Sequence, residues 1–402
     1  MDASTLKKDF PILQKHPLIY LDTAASSLTP QPVIDAMNEY YTEYPVNVHR
    51  GVYKMSYKAT EHYTNARQTI ADYINASFNE VVFTRGASSA LNLVALRYGM
   101  EHLTKGDEII VSELEHHSHV LPWQQVAKKV GAKLIYIPLT EEGRITVENV
   151  KKVLTDHTKV VALTYISNVM GYITPIKDII TLAHQKNAIV SVDAAQAAPH
   201  MAIDVKALNC DFLAFSAHKM FGPTGIGILY GKEHLLNAME PLEYGGDMND
   251  NVDAYDGTWK ESPYKFETGT PPIAEAIGFA SAIKYIESIG INNIIKHERT
   301  LKEKAVNALL EIDGVTVYNK TAETGIITFN FDGVHPHDAV SYFDENNIAM
   351  RAGHHCAQLV IKWLNVAATL RATFYVYNTE DDVEIFIENV KNARQFFSDV
   401  GF

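Results

Sequence analysis

Three short apolar runs succeed one another between residues 188 and 230: Ile189–Val192, Phe212–Phe215 and Ile226–Leu229. Each is too short for a helix and is bounded by polar residues or Gly/Pro punctuation, the pattern of a buried strand. The same rhythm extends upstream. Strands are expected at 18–22, 81–83, 106–112, 133–138 and 159–165, alternating with amphipathic helical stretches at 33–41, 57–74, 86–99, 124–131, 147–154 and 176–186. So many strand–helix alternations imply right-handed crossovers and a mostly parallel sheet. Downstream, a polar stretch at 241–272 reads as a long loop or arm. Helices at 273–288 and 291–312 follow, then strands near 315–318 and 325–331 and helices at 336–346 and 380–397. With 402 residues the chain exceeds the usual single-domain size, so two lobes are expected. The divisions read as an N-terminal segment, 1–17, packing near the small domain, a large domain, 18–290, and a small C-terminal domain, 291–402.

Composition narrows the setting. Hydrophobic residues make up 47 % and charged residues 21 %, as in an ordinary globular protein. The net charge of −13 opposes nonspecific binding to nucleic acid or an anionic membrane. No run approaches the length of about 20 apolar residues that spans a bilayer, and the first residues lack a signal-peptide core. A cytoplasmic protein is expected. The two cysteines, Cys210 and Cys356, form neither a disulfide framework nor a metal knuckle. Cys210, beside a buried run, reads as a core thiol.

Polar side chains stand where the apolar runs stop. Asp193 and Gln196 follow the first run; Ser216, His218 and Lys219 follow the second. Strand ends facing a crevice are where an α/β protein places its binding residues. Most lysines at a loop entrance are simply solvated. An amine beside a phosphate-binding serine and a strand-end aspartate suits instead a Schiff base with pyridoxal phosphate, Asp193 pairing with the pyridinium nitrogen. Ser88 and Ser89 open the helical stretch after Gly86, where they serve either as N-caps or as ligands for a phosphate at the helix start. His116, His117 and His119 invite a metal reading, but no separated cysteine or carboxylate motif completes such a site. Cys356 follows two histidines in a polar loop, where imidazoles and Arg351 favour a reactive thiolate. Arg371 suits a bidentate clamp for a carboxylate.

VDAAQ (192–196), SAHKMFGPTGIG (216–227) and RAGHHCAQ (351–358) together resemble the group II, SufS-type cysteine desulfurases of the class V aminotransferase family. The similarity runs from YLDTAAS at Tyr20 to Val383. It implies the pyridoxal-phosphate fold type I: a large domain with a mostly parallel seven-stranded sheet and a smaller α+β C-terminal domain. It also implies an enzyme that converts L-cysteine to L-alanine, leaves a persulfide on Cys356 and hands the sulfur to an acceptor protein for iron–sulfur cluster assembly. Carried over by position, Lys219, Asp193, Gln196, Ser216, His218, Ser88 and Asn168 would bind the cofactor, and His116 would stack on its ring and share in proton transfer. Thr270, in ETGTPP, would reach the phosphate of a neighbouring subunit and so require a homodimer. Arg371, Arg351, His49 and Ala25 would face the substrate. Two departures stand out: Ala87, Ser88 and Ser89 where the family has two threonines and a glutamate, and Leu359 where many relatives have proline. Selenocysteine lyase or cysteine-sulfinate desulfinase activity would use nearly the same residues. A catalytically silent scaffold in a sulfur-transfer complex is the alternative of another class.

Overall fold

The computed structural model describes residues 2–401. Its centre is a seven-stranded sheet: β1 (Val81–Thr84), β2 (Glu108–Val111), β3 (Lys133–Tyr136), β4 (Thr158–Thr164), β5 (Ile189–Asp193), β6 (Phe212–Ser216) and β7 (Gly227–Gly231), in the order β1-β7-β6-β5-β4-β2-β3. Only β7 runs against the others, since it pairs antiparallel with both β1 and β6. Alternate residues of the central strands feed different cores: Val161, Leu163, Val190 and Val192 one face, Val160, Ala162, Phe212 and Ala214 the other. A sheet covered on both faces needs such near-continuous apolar strands.

The C-terminal lobe has its own four-stranded antiparallel sheet, β8 (Val315–Val317), β9 (Ile326–Phe331), β10 (Arg351–Gly353) and β11 (Thr369–Thr373), ordered β8-β9-β11-β10. Its separate core gathers Phe329, Phe331, Leu370 and Phe386 beneath helices Ile291–Leu309 and Glu380–Asp399.

The strand expected at 18–22 shortens to Ile19–Tyr20 and pairs in parallel with Ile348 and Ala349 of the C-terminal lobe. The helix expected at 124–131 begins earlier, at His117, with Pro122 accommodated inside it. The helical stretch after Gly86 turns from α over Ala87–Leu93 to π over Val94–Gly99. The polar stretch at 241–272 contains a hairpin, Asn249–Val252 against Gly257–Trp259.

Candidate active site

The register of three strands builds one end of the site. Gly227 pairs with Ser216 on one side and Thr84 on the other. A Cβ on Gly227 would come within 2.5 Å of the Phe215 carbonyl and 2.7 Å of Gly86 Cα, so only glycine lets the three segments close up. Ser216 Oγ, at the end of β6, consequently accepts the Ala87 N–H at 2.8 Å. Gly86 has φ +146°, a conformation side chains avoid. Around it lies a cup of about 290 Å³ lined by Gly86, Ser88, Ser89, Ser216, His218 and Thr224. Ser88 is exposed and shares a 2.6 Å hydrogen bond with Ser118.

Asp193 ends β5, buried, its Oδ1 accepting the Ala195 N–H. Gln196 Nε2 donates to the Ala24 carbonyl, and its buried Oε1 has no partner. Lys219 follows β6 in a single 3₁₀ turn. Burial pushes its amine down to about 8, with Asp193 opposing the shift and Arg371 adding to it. His116 caps helix His117–Val130, and its Nδ1 accepts the Ser118 N–H, so a neutral ring carries its proton on Nε2. Burial and the charge of Lys219 hold this imidazole down near 4. His218 is likewise held near 4 by burial and Lys219, while its carbonyl accepts from Ser26 and Ser27. Ala25 lies beside those serines, its N–H given to the Asp22 carbonyl.

From the C-terminal lobe comes Arg371, fully buried on β11. It donates to the Asn168 carbonyl at 3.0 Å and to Asp22 Oδ1 at 3.1 Å, and its Nε has no partner. Arg351 grips the same Asp22 carboxylate through Nε and a terminal nitrogen. Asn168 donates its Nδ2 to the His355 carbonyl at 2.7 Å, tying the end of β4 to the cysteine loop. Cys356 is exposed, with φ 54°, directly after His355 at φ 53°. Cys210 is its opposite: buried, its thiol pushed up to about 12.

Of two further expected site residues, one lies apart from this cluster within the chain and the other reaches its edge. His49 contacts Thr60, Tyr63 and Tyr264 and lines a separate pocket of about 340 Å³. Thr270 is exposed, bonded to Asn47, and lines a groove of about 550 Å³ together with Ser88 and Ser89. Of the neighbouring histidines, His119 is bonded to Glu115 and Ser191, while His117 is turned to Gln358. Among the described residues no three His, Cys, Asp or Glu side chains gather as a metal site. Sequence reasoning missed Asp22, which joins both arginines, although YLDTAAS carried it in plain view. It also missed the bonds His117 makes.

These residues fit pyridoxal phosphate. The glycine-floored cup has hydroxyls and helix N–H groups suited to a phosphate. The orphaned Gln196 Oε1 and the strand-end Asp193 offer polar contacts to a ring, and the low-pKa Lys219 suits its aldehyde.

Comparison with known proteins agrees. The aminotransferase class-V family model matches residues 19–386. A protein of Halalkalibacterium halodurans described as a probable cysteine desulfurase is 50 % identical, with the whole of both chains aligned. One from Staphylococcus epidermidis with the same description is 49 % identical over 99 % of this chain and 98 % of its own. Among solved structures, the cysteine desulfurase CsdA of Escherichia coli superposes with a TM-score of 0.93 at 38 % identity, covering 98 % of this chain and 99 % of that one. The apo cysteine desulfurase of Thermococcus onnurineus NA1 gives 0.93 at 42 %, covering 97 % of each chain. A family match over residues 19–386 and relatives at 49–50 % identity along nearly the whole chain thus place this protein in the class-V aminotransferase family, with the fold type I architecture of pyridoxal-phosphate enzymes.

Proposed function

We infer that the protein is a pyridoxal-phosphate-dependent cysteine desulfurase, which converts L-cysteine to L-alanine and holds the sulfur as a persulfide on Cys356 for iron–sulfur cluster assembly. The observation that carries this reading is an open thiol from one lobe held against the other. Cys356 is exposed, and its carbonyl accepts the His117 N–H at 2.8 Å, next in the chain to His116.

When bound, pyridoxal phosphate supplies an electron sink for charge developing on the substrate skeleton. Lys219 would hold it covalently, and Ser88, Ser216, His218 and the helix N–H groups would hold its phosphate. Arg371, kept in place by Asp22 and the Asn168 carbonyl, presents its free Nε toward a substrate carboxylate. Lys219 Nζ moves protons, helped by its lowered pKa. His116 keeps a proton on Nε2 and covers the site while remaining uncharged at neutral pH. The Cys356 thiolate attacks the substrate sulfur: an S–S bond forms and the substrate C–S bond breaks. The electron pair of that bond stays on the three-carbon fragment, which leaves as alanine after protonation.

The persulfide must then be reached by an acceptor protein, which the exposure of Cys356 allows. A homodimer, with Thr270 reaching the neighbouring subunit's phosphate, follows from the family resemblance, and the exposure of Thr270 is compatible with it. A cytoplasmic setting, testable by cell fractionation, keeps Cys356 reduced. Among the described residues no helix is long and apolar enough to cross a membrane.

Purified protein incubated with L-cysteine should form alanine and a protein-bound persulfide. Cys356→Ala should keep the yellow cofactor and lose both products. Alanine still released by the variant would remove Cys356 from the mechanism. Light scattering on the same preparation should read twice the chain mass; a single chain mass would sink the dimer.

A further inference from the structure

The loop that carries Cys356 is gripped from the opposite lobe by the start of one helix. Helix His117–Val130 leaves its first N–H groups without partners of its own. The N–H of His117 donates to the Cys356 carbonyl at 2.8 Å. Helix Gln358–Trp363, opening two residues after the cysteine, has the same need, and its first N–H, that of Gln358, donates to His117 Nε2 at 3.0 Å. Two helix starts therefore cap each other across the crevice, on either side of the thiol. Asn168 adds a third bond, to the His355 carbonyl.

The loop needs such holding. His355 and Cys356 are consecutive non-glycine residues in the left-handed region, a conformation that side chains disfavour. A conformation of that kind persists only where its surroundings fix it. A main-chain N–H can only donate, so His117 Nε2 must keep its lone pair. Burial and nearby His354 both push the His117 pKa down, which favours the neutral ring. The other imidazole facing it is His116, at a centroid distance of 6.4 Å.

We propose that His117 is a positioning residue for Cys356: its ring accepts the Gln358 main-chain N–H and so fixes the thiol-bearing loop for attack on the substrate sulfur. The last clause rests on the desulfurase reading; the grip on the loop does not.

The test compares the wild-type holoenzyme with His117→Gln, which keeps an acceptor near the Nε2 position, and His117→Met, which fills similar space without one. Hydrogen exchange at the Gln358 amide should speed up about tenfold in His117→Met, the scale of one net hydrogen bond, and stay near wild type in His117→Gln. For L-cysteine, kcat should fall about tenfold in His117→Met with KM and the visible cofactor spectrum unchanged, and His117→Gln should restore it. Equal exchange in all three proteins would overturn the proposal. So would a loss of cofactor absorbance in His117→Met, which would make His117 part of the cofactor wall instead. If the wild type released no alanine, the desulfurase reading would fail, while the exchange measurement would still decide the grip on the loop.

Discussion

The Lys219 ammonium loses hydration in the crevice faster than Asp193 compensates, and its pKa falls from the ordinary 10.5 to about 8. Since the uncharged amine is the form that attacks an aldehyde, the shift has a kinetic reading. The neutral fraction rises from about one-tenth at pH 7 to about nine-tenths at pH 9. Cofactor uptake by the apo protein should therefore accelerate about tenfold across that interval and level off beyond it. An amine left at 10.5 would gain nearly a hundredfold over the same interval and keep rising. Stopped-flow uptake at a series of pH values distinguishes the two, and a rate still climbing steeply at pH 10 would refute the shift. His116 and His218, both held near 4, stay neutral throughout and add no titration of their own.

Among the elements, strand β1 has a tether that its own sequence does not contain. Glu267 accepts from Arg67, from the Tyr63 hydroxyl and from the Phe83 N–H on β1. Arg67 is 1 % and Glu267 9 % exposed at the side chain, so this is a buried ion pair whose partners rely on each other. Three residues later comes Thr270, and directly beyond β1 lies the Gly86 cup, so the bond to Phe83 anchors the strand that leads to the cup. Glu267→Gln should cost about 3 kcal/mol in a denaturant titration by stranding Arg67. It should also weaken cofactor retention, and an unchanged midpoint would show the pair to be dispensable. Contacts of this kind mark the limit of what was legible in the sequence. Lys219, Asp193 and Ser216 could be read because each closely follows an apolar run, so position and chemistry lie within a few residues. The strands of the large sheet were legible for the same reason. Gln358 to His117 spans 241 residues and Arg371 to Asp22 spans 349, and no local pattern encodes such a meeting. The hairpin at 249–259 escaped because its strands are polar and mostly exposed, without an apolar alternation to betray them.

For the molecule as a whole, one segment stitches the lobes together at the crevice. Residues 19–20 add to the C-terminal lobe, Leu21 enters its core, and Asp22 holds Arg351 and Arg371. Ser26 and Ser27 then fasten to the His218 carbonyl, and Ser27 Oγ accepts the Phe221 N–H at 2.6 Å. Farther out, Lys7 pairs with Asp382 and buried His200 with Glu298, joining the chain's beginning and middle to the C-terminal helices. The site therefore depends on two lobes held in fixed register. The contrast between the two cysteines has a practical consequence. With Cys210 sealed in the core and Cys356 open, the folded protein presents one thiol to a reagent and the unfolded protein two. Alkylation followed by mass measurement should add one label under native conditions and a second only in denaturant; two labels on the native protein would contradict the sealed core. The chain thus has a reporter for its cargo and an internal gauge of its own integrity, and sulfur loading can be counted molecule by molecule without a tag.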